Sequence, residues 1–110
     1  MAPHAEEERR LTERVNRRGE IDFWIGSSLP FSGYYADIST RGIYIETICP
    51  APEGTRLRMC FTLPGHYRTI ETEGVVIWSD CPMGMGVRFL PLPQDAYTAI
   101  KEFRLETQLQ

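Results

Sequence analysis

Residues 37 to 42, Asp37-Ile38-Ser39-Thr40-Arg41-Gly42, place a carboxylate, a hydroxyl and a glycine at fixed spacing between two apolar runs. A carboxylate accepts from paired N–H donors, a hydroxyl can donate or accept, and a glycine lets a ligand or a second backbone come close. The same residue types also build an ordinary turn, in which Asp and Ser fold back on backbone amides and Gly takes a positive φ. The hexapeptide alone leaves both readings open. A second group of chemically capable residues lies upstream. Five of the 12 basic residues fall between Arg9 and Arg18, and Lys101 is the only lysine of the chain. Arg carries a rigid planar fork that grips phosphates and the acceptor edge of guanine through paired bonds, and its flat face stacks on bases.

The overall charge is −3, which argues against a general nucleic-acid binder, since such domains carry an excess of positive charge. A cluster of arginines on an otherwise acidic chain suggests instead a small anionic ligand held at one place. The competing account of Arg9 to Glu20 is a solvated tail in which Glu6, Glu7, Glu8, Glu13 and Glu20 offset the arginines.

The elements that must position these groups follow from periodicity. Met1 to Glu8 is polar and expected to be disordered, and 9–20 is expected to be a mobile arm with few core-forming residues. Ile21, Phe23 and Ile25 alternate as a first strand, and Gly26 to Gly33 is a loop. Tyr34 to Ala36 leads into the Asp37 turn and Ile43 to Thr47 leads out, each as a strand, and Pro50 to Gly54 marks the next break. Leu57, Met59, Phe61 and Leu63 then alternate with polar partners, Pro64 to Tyr67 makes a hairpin connection, and Ile70 to Trp78 is a long fifth strand with Gly74 as an expected bulge or bend. After a turn from Cys81 to Gly84, Met85 to Phe89 gives the sixth. Six short strands at this spacing predict a mainly β, closed or nearly closed antiparallel barrel over 21–90. Only the last segment changes period. Pro93-Gln94-Asp95 opens an amphipathic helix over 93–105, of about three turns, with Ala96, Ile100, Phe103 and Leu105 on one face.

Several function classes are disfavoured. A chain of 110 residues with 42% hydrophobic content suits one domain, and no window approaches the roughly 18 apolar residues of a membrane span. An acidic, arginine-rich start lacks the apolar run of a secretory signal, so a cytoplasmic location is expected. Cys49, Cys60 and Cys81 form no C-x-x-C pair and are expected as buried thiols, and two isolated histidines, His4 and His66, make a poor metal set. No nucleophile elbow, phosphate-binding loop or zinc-protease motif is present, and Glu71 and Glu73 share a strand face as solvent-facing alternation explains. The expectation is a non-enzyme without metal or cofactor.

The combination of Arg10-x-x-x-Arg14 ahead of a six-stranded barrel with Asp37-x-Ser39-x-x-Gly42 inside it resembles the PilZ domain, the bacterial receptor module for cyclic di-GMP. Pro52-Glu53-Gly54-Thr55, Gly74 to Trp78, Met85 to Phe89 and the closing helix are similar too, so the resemblance spans almost everything from Glu8 to Phe103, within a domain expected over 9–106. The resemblance implies that Arg10 and Arg14 grip the phosphates and guanine edges of cyclic di-GMP while Asp37, Ser39 and Gly42 shape the facing wall. Arg14-x-x-x-Arg18 is a second, overlapping match, and Arg9, Arg18 and Trp78 are secondary candidates, Trp78 for stacking on guanine. The resemblance further implies an effector protein as partner, in motility, biofilm formation or a related output, and a monomer or weak homodimer without nucleic-acid or membrane contact. The alternative is a PilZ-like module that works by protein contact, with Trp24, Tyr35, Tyr44 or Tyr67 as its exposed surface.

Overall fold

Apolar residues at every second position force extended backbone, because only there do successive side chains reach opposite faces. In the computed structural model, which describes residues 19–65 and 69–108, this yields strands β1 (Gly19–Trp24), β2 (Phe31–Ala36), β3 (Gly42–Glu46), β4 (Arg56–Thr62), β5 (Thr69–Asp80) and β6 (Gly84–Phe89), then helix α1 (Gln94–Gln108). The strands close into an antiparallel barrel in the order β1-β2-β3-β6-β5-β4. Because β1 pairs with both β2 and β4, the sheet has no free edge.

The inward faces make one core. Phe23, Tyr35, Ile45, Leu57, Met59, Met85 and Val87 are buried, and Ala96, Ile100 and Phe103 of α1 join the same cluster. Ring contacts run through it from Tyr35 to Phe61 at 5.2 Å and from Phe61 to Phe89 at 6.3 Å. The helix starts where the Tyr97 amide donates to the Pro93 carbonyl, with Asp95 in the first turn.

Several expectations need correction. The strand begins at Gly19, so Gly19 and Glu20 belong to β1 and not to the arm; Gly19 pairs with Tyr35, and a Cβ there would lie 2.3 Å from the Tyr35 ring. Ile25 lies outside β1, which ends at Trp24 before a turn carried by Gly26 at φ 57°. Gly74 is not the irregularity in β5. The register shifts between Val76 and Trp78, whereas Gly74 makes room for Val87 and Met59, whose side-chain atoms lie 2.5 and 2.9 Å from where its Cβ would stand. Leu105 is half exposed, since it stands two residues past Phe103 and so falls off the 96–100–103 face, and α1 runs on to Gln108. The thiols are not buried: Cys49 and Cys81 sit exposed in loops and Cys60 lies half-buried on the outward face of β4. His66 and Tyr67 lie outside the described residues.

Tyr35 is fully buried, which removes it from the exposed surface expected of it, and its hydroxyl donates to the Thr62 carbonyl at 2.8 Å, tying β2 to the end of β4. Burial pushes its phenol far above the ordinary 10.0. The unfolded chain therefore ionises first, so this stabilisation is intact below pH 10.0 and declines as pH rises beyond it. Tyr35→Phe should cost about 0.5–1.5 kcal/mol near neutrality for the lost hydrogen bond. In denaturant titrations at pH 8 and pH 11 the gap between wild type and variant should shrink at the higher pH; an unchanged gap would contradict the burial of an ionisable phenol here.

Candidate ligand-binding site

The link between β2 and β3 is a short turn in which Ser39 spends both its amide and its hydroxyl on the backbone. The Ser39 amide donates to the Gly42 carbonyl at 2.9 Å, and the Ser39 hydroxyl accepts from the amides of Arg41 at 3.1 Å and Gly42 at 3.3 Å. This is the arrangement by which a serine replaces a missing backbone partner in a turn. Ile38 points inward and is buried, pinning the turn to the core between two residues that remain reachable. Asp37 is exposed and holds φ at 47°, a left-handed conformation that Asp tolerates better than most residues. Gly42 is demanded by packing: a Cβ there would stand 2.4 Å from the Val87 carbonyl oxygen of β6. The Phe89 amide donates to the Arg41 carbonyl at 2.8 Å and fastens the far end of the turn to β6.

Of the residues expected at the site, the structure brings Asp37, Ser39 and Gly42 together on this one turn. Arg9, Arg10, Arg14 and Arg18 lie outside the described residues. Their point of attachment does not: the chain enters the barrel at Gly19, opposite Tyr35, two residues before Asp37. Trp78 stands further round the barrel wall, reached from the turn through Tyr44 of β3 and Gly86 of β6, which pair with each other as Gly86 pairs with Trp78. Tyr44 and Trp78 stack at 5.3 Å between ring centroids with planes 23° apart. Trp24, half-buried, is covered by the Arg58 guanidinium at 5.4 Å from its ring.

Two outward residues of this wall escaped the sequence reading. Tyr44 is expected from the sequence only as a protein-contact residue, and Arg88, exposed and paired in register with Gly42, carries no expectation there. Its signal was present: Val87 and Phe89 face inward, so the arginine between them must face out. Among the described residues no group of three or more His, Cys, Asp or Glu side chains is placed to hold a metal, and no helix is long and apolar enough to cross a membrane.

A family model, the PilZ domain, matches residues 8–106. The chain belongs to the PilZ domain family. PilZ domains are regulatory binding modules. Among solved structures the chain is similar to the Bacillus subtilis inhibitor of motility (MotI/DgrA), with a TM-score of 0.70 at 21% identity over 84% of this chain. The match spans 50% of that longer chain, so it supports the PilZ barrel and nothing about the remainder. No curated protein matches the sequence.

Three substitutions test what the turn does for the PilZ barrel. Ser39→Ala removes the acceptor of two amides and should destabilise by about 1 kcal/mol. Asp37→Gly suits the positive φ and should leave the denaturation midpoint unchanged or slightly raised, while Asp37→Val should lower it, since a left-handed β-branched residue costs about 1–2 kcal/mol. Equal midpoints for the glycine and valine variants would rule out the left-handed conformation.

Proposed function

We propose that this chain is a receptor for cyclic di-GMP, in which Arg10 and Arg14 fold against the Asp37 turn and clamp the dinucleotide between them. The observation that carries this is the register of β1 on β2. Gly19 opposite Tyr35 sets the point where the arginine-bearing segment joins the barrel at the strand position two residues before Asp37. Arg14 precedes Gly19 by five residues, a reach of at most about 18 Å for extended chain.

The chemistry fits a dianionic purine dinucleotide. The exposed Asp37 carboxylate accepts from guanine N–H groups, and Gly42 and Ser39 hold that carboxylate on a fixed turn. Each arginine–phosphate contact supplies roughly 1.5–3 kcal/mol, and fixing the segment consumes about 1–2 kcal/mol per residue, so affinity falls in the micromolar range or modestly tighter. Arg9 and Arg18 are reserve donors, and Arg18 is the second member of an alternative pair with Arg14. The ordered segment then alters contact with an effector protein, which is how a binding module without chemistry of its own regulates an output such as motility or biofilm formation. One observation favours the protein-contact alternative: the Ser39 hydroxyl is already engaged by its own turn.

Calorimetric titration of cyclic di-GMP into wild type, Arg10→Ala, Arg14→Ala and Arg18→Ala, with GMP as control, decides between these. Saturable wild-type binding that both Arg10→Ala and Arg14→Ala abolish is the expected result. Loss in Arg14→Ala and Arg18→Ala alone would move the clamp to that pair. No wild-type binding would overturn the receptor reading in favour of protein contact.

A further inference from the structure

The loop over 47–55 leaves β3 at the end of that strand away from the Asp37 turn and crosses to β4. It is laced to the β5–β6 hairpin on the way. The Thr47 amide donates to the Met83 carbonyl at 3.2 Å, the Ala51 amide donates to the Met85 sulfur at 3.4 Å, and the Gly54 amide donates to the Val76 carbonyl at 2.7 Å. Two cysteines lie inside this lacing. Cys49 stands midway between the Thr47 and Ala51 anchors, and Cys81 stands two residues before Met83, in the turn closed by the Met83 amide on the Asp80 carbonyl at 2.6 Å. Register brings the two toward each other. β3 and β6 pair from Gly42 opposite Arg88 to Glu46 opposite Gly84, the Thr47–Met83 bond carries the same register one step on, and two further steps along each chain reach Cys49 and Cys81. Opposed residues of an antiparallel pair have Cα atoms about 4.5–5.5 Å apart, inside the roughly 4.4–6.8 Å that a disulfide spans. Both thiols are exposed, on loop backbone that no strand pairing fixes.

We infer that Cys49 and Cys81 are a redox-active pair, which hydrogen peroxide converts to one intramolecular disulfide. The thiolate of one cysteine attacks a peroxide oxygen, the O–O bond breaks, and a sulfenic acid forms as the first water leaves. The second thiolate then attacks the sulfenic sulfur, the S–S bond forms, and the second water leaves. The two thiols give up two protons and two electrons, and the peroxide takes up both. Cys60 is set apart from this chemistry. It lies half-buried on the outer face of β4, in register with Asp22 of β1 and Glu71 of β5 and with neither other thiol. Burial first, then Glu71 and Asp22, hold its thiol above the ordinary value, which leaves it a poor nucleophile. The Cys49–Cys81 bridge fastens the crossover loop to the hairpin and closes the chain between them into a ring, which restricts the unfolded state. Standing at the far end of β3 from Asp37, the pair is independent of the receptor reading.

The test treats wild type, Cys49→Ser, Cys81→Ser and Cys60→Ser, all changed outside the core, with hydrogen peroxide. Each sample is then unfolded in an alkylating agent, weighed intact and mapped by peptide. In the wild type the alkylatable thiols should fall from 3 to Cys60 alone, with the peptides of Cys49 and Cys81 joined within a monomer, and dithiothreitol should restore all 3. Cys60→Ser should form the same bridge, and neither loop variant should. The oxidised wild type should unfold at a higher denaturant concentration than the reduced protein, a shift that Cys49→Ser and Cys81→Ser lack. Separate oxidation of Cys49 and Cys81 without a bridge, or disulfides found only between two chains, overturns the inference. So does linkage through Cys60 as often as between the two loop cysteines.

Discussion

The close approach of β3 to β6 is the constraint on which the rest of the structure depends. At the two ends of their pairing, a Cβ on Gly42 or Gly84 would stand 2.4 Å from a backbone carbonyl of the opposing strand, Val87 in one case and Ile45 in the other. No side chain can yield there, because the obstacle is backbone. With glycine at both places the strands close, Ile43, Ile45, Met85 and Val87 turn inward together, and the outer face is left as bare peptide over which Tyr44 and Trp78 can lie. The Arg41 carbonyl reaches the Phe89 amide only because this seam is tight. The placement of the Asp37 turn is thus a consequence of barrel closure.

A rigid turn of this kind is useful to a receptor because it removes one side of the site from the entropy of binding. Ser39 spends its hydroxyl on its own turn, Ile38 anchors it, and Asp37 is left exposed on a backbone that cannot drift. The arginine-bearing segment joins at Gly19, where Tyr35 lies beneath the backbone and is itself tied to Thr62. In the proposed mechanism one wall is preformed and the other is recruited by ligand. The recruited segment is then available to change what a partner meets, whereas two preformed walls would bind the ligand and report nothing.

Much of the barrel was legible in the sequence because its strands obey period two and its breaks carry Gly, Pro and Asp. Arg56 to Leu63 and Met85 to Phe89 alternate cleanly, and their inward sets are those that pack. What failed was what alternation alone leaves ambiguous. Tyr34 and Tyr35 are adjacent aromatics, so one had to face in, and only the pairing with Gly19 and the reach to Thr62 decide that it is Tyr35. Gly74 read as a bulge because a glycine inside a strand has two meanings, and the space it yields to Val87 comes from a strand distant in sequence. The cysteines read as core because thiols usually bury, yet Cys49 and Cys81 occupy loops. At the candidate site, the turn that carries Asp37, Ser39 and Gly42 could be found from their spacing. The Tyr44–Trp78 pair over Gly86 could not, since it joins three strands.

The central claim is that ligand brings the arginines of the N-terminal segment and the Asp37 turn together at the Gly19 entry point. Two-dimensional NMR of nitrogen-labelled protein during addition of cyclic di-GMP tests it most directly. The account predicts shifts concentrated at the amides of Gly19 and 37–42 and at the guanidinium Nε–H signals of Arg10 and Arg14, saturating together. Shifts confined to α1 or to the loop carrying Ile48 and Cys49, with the Asp37 turn silent, would contradict it.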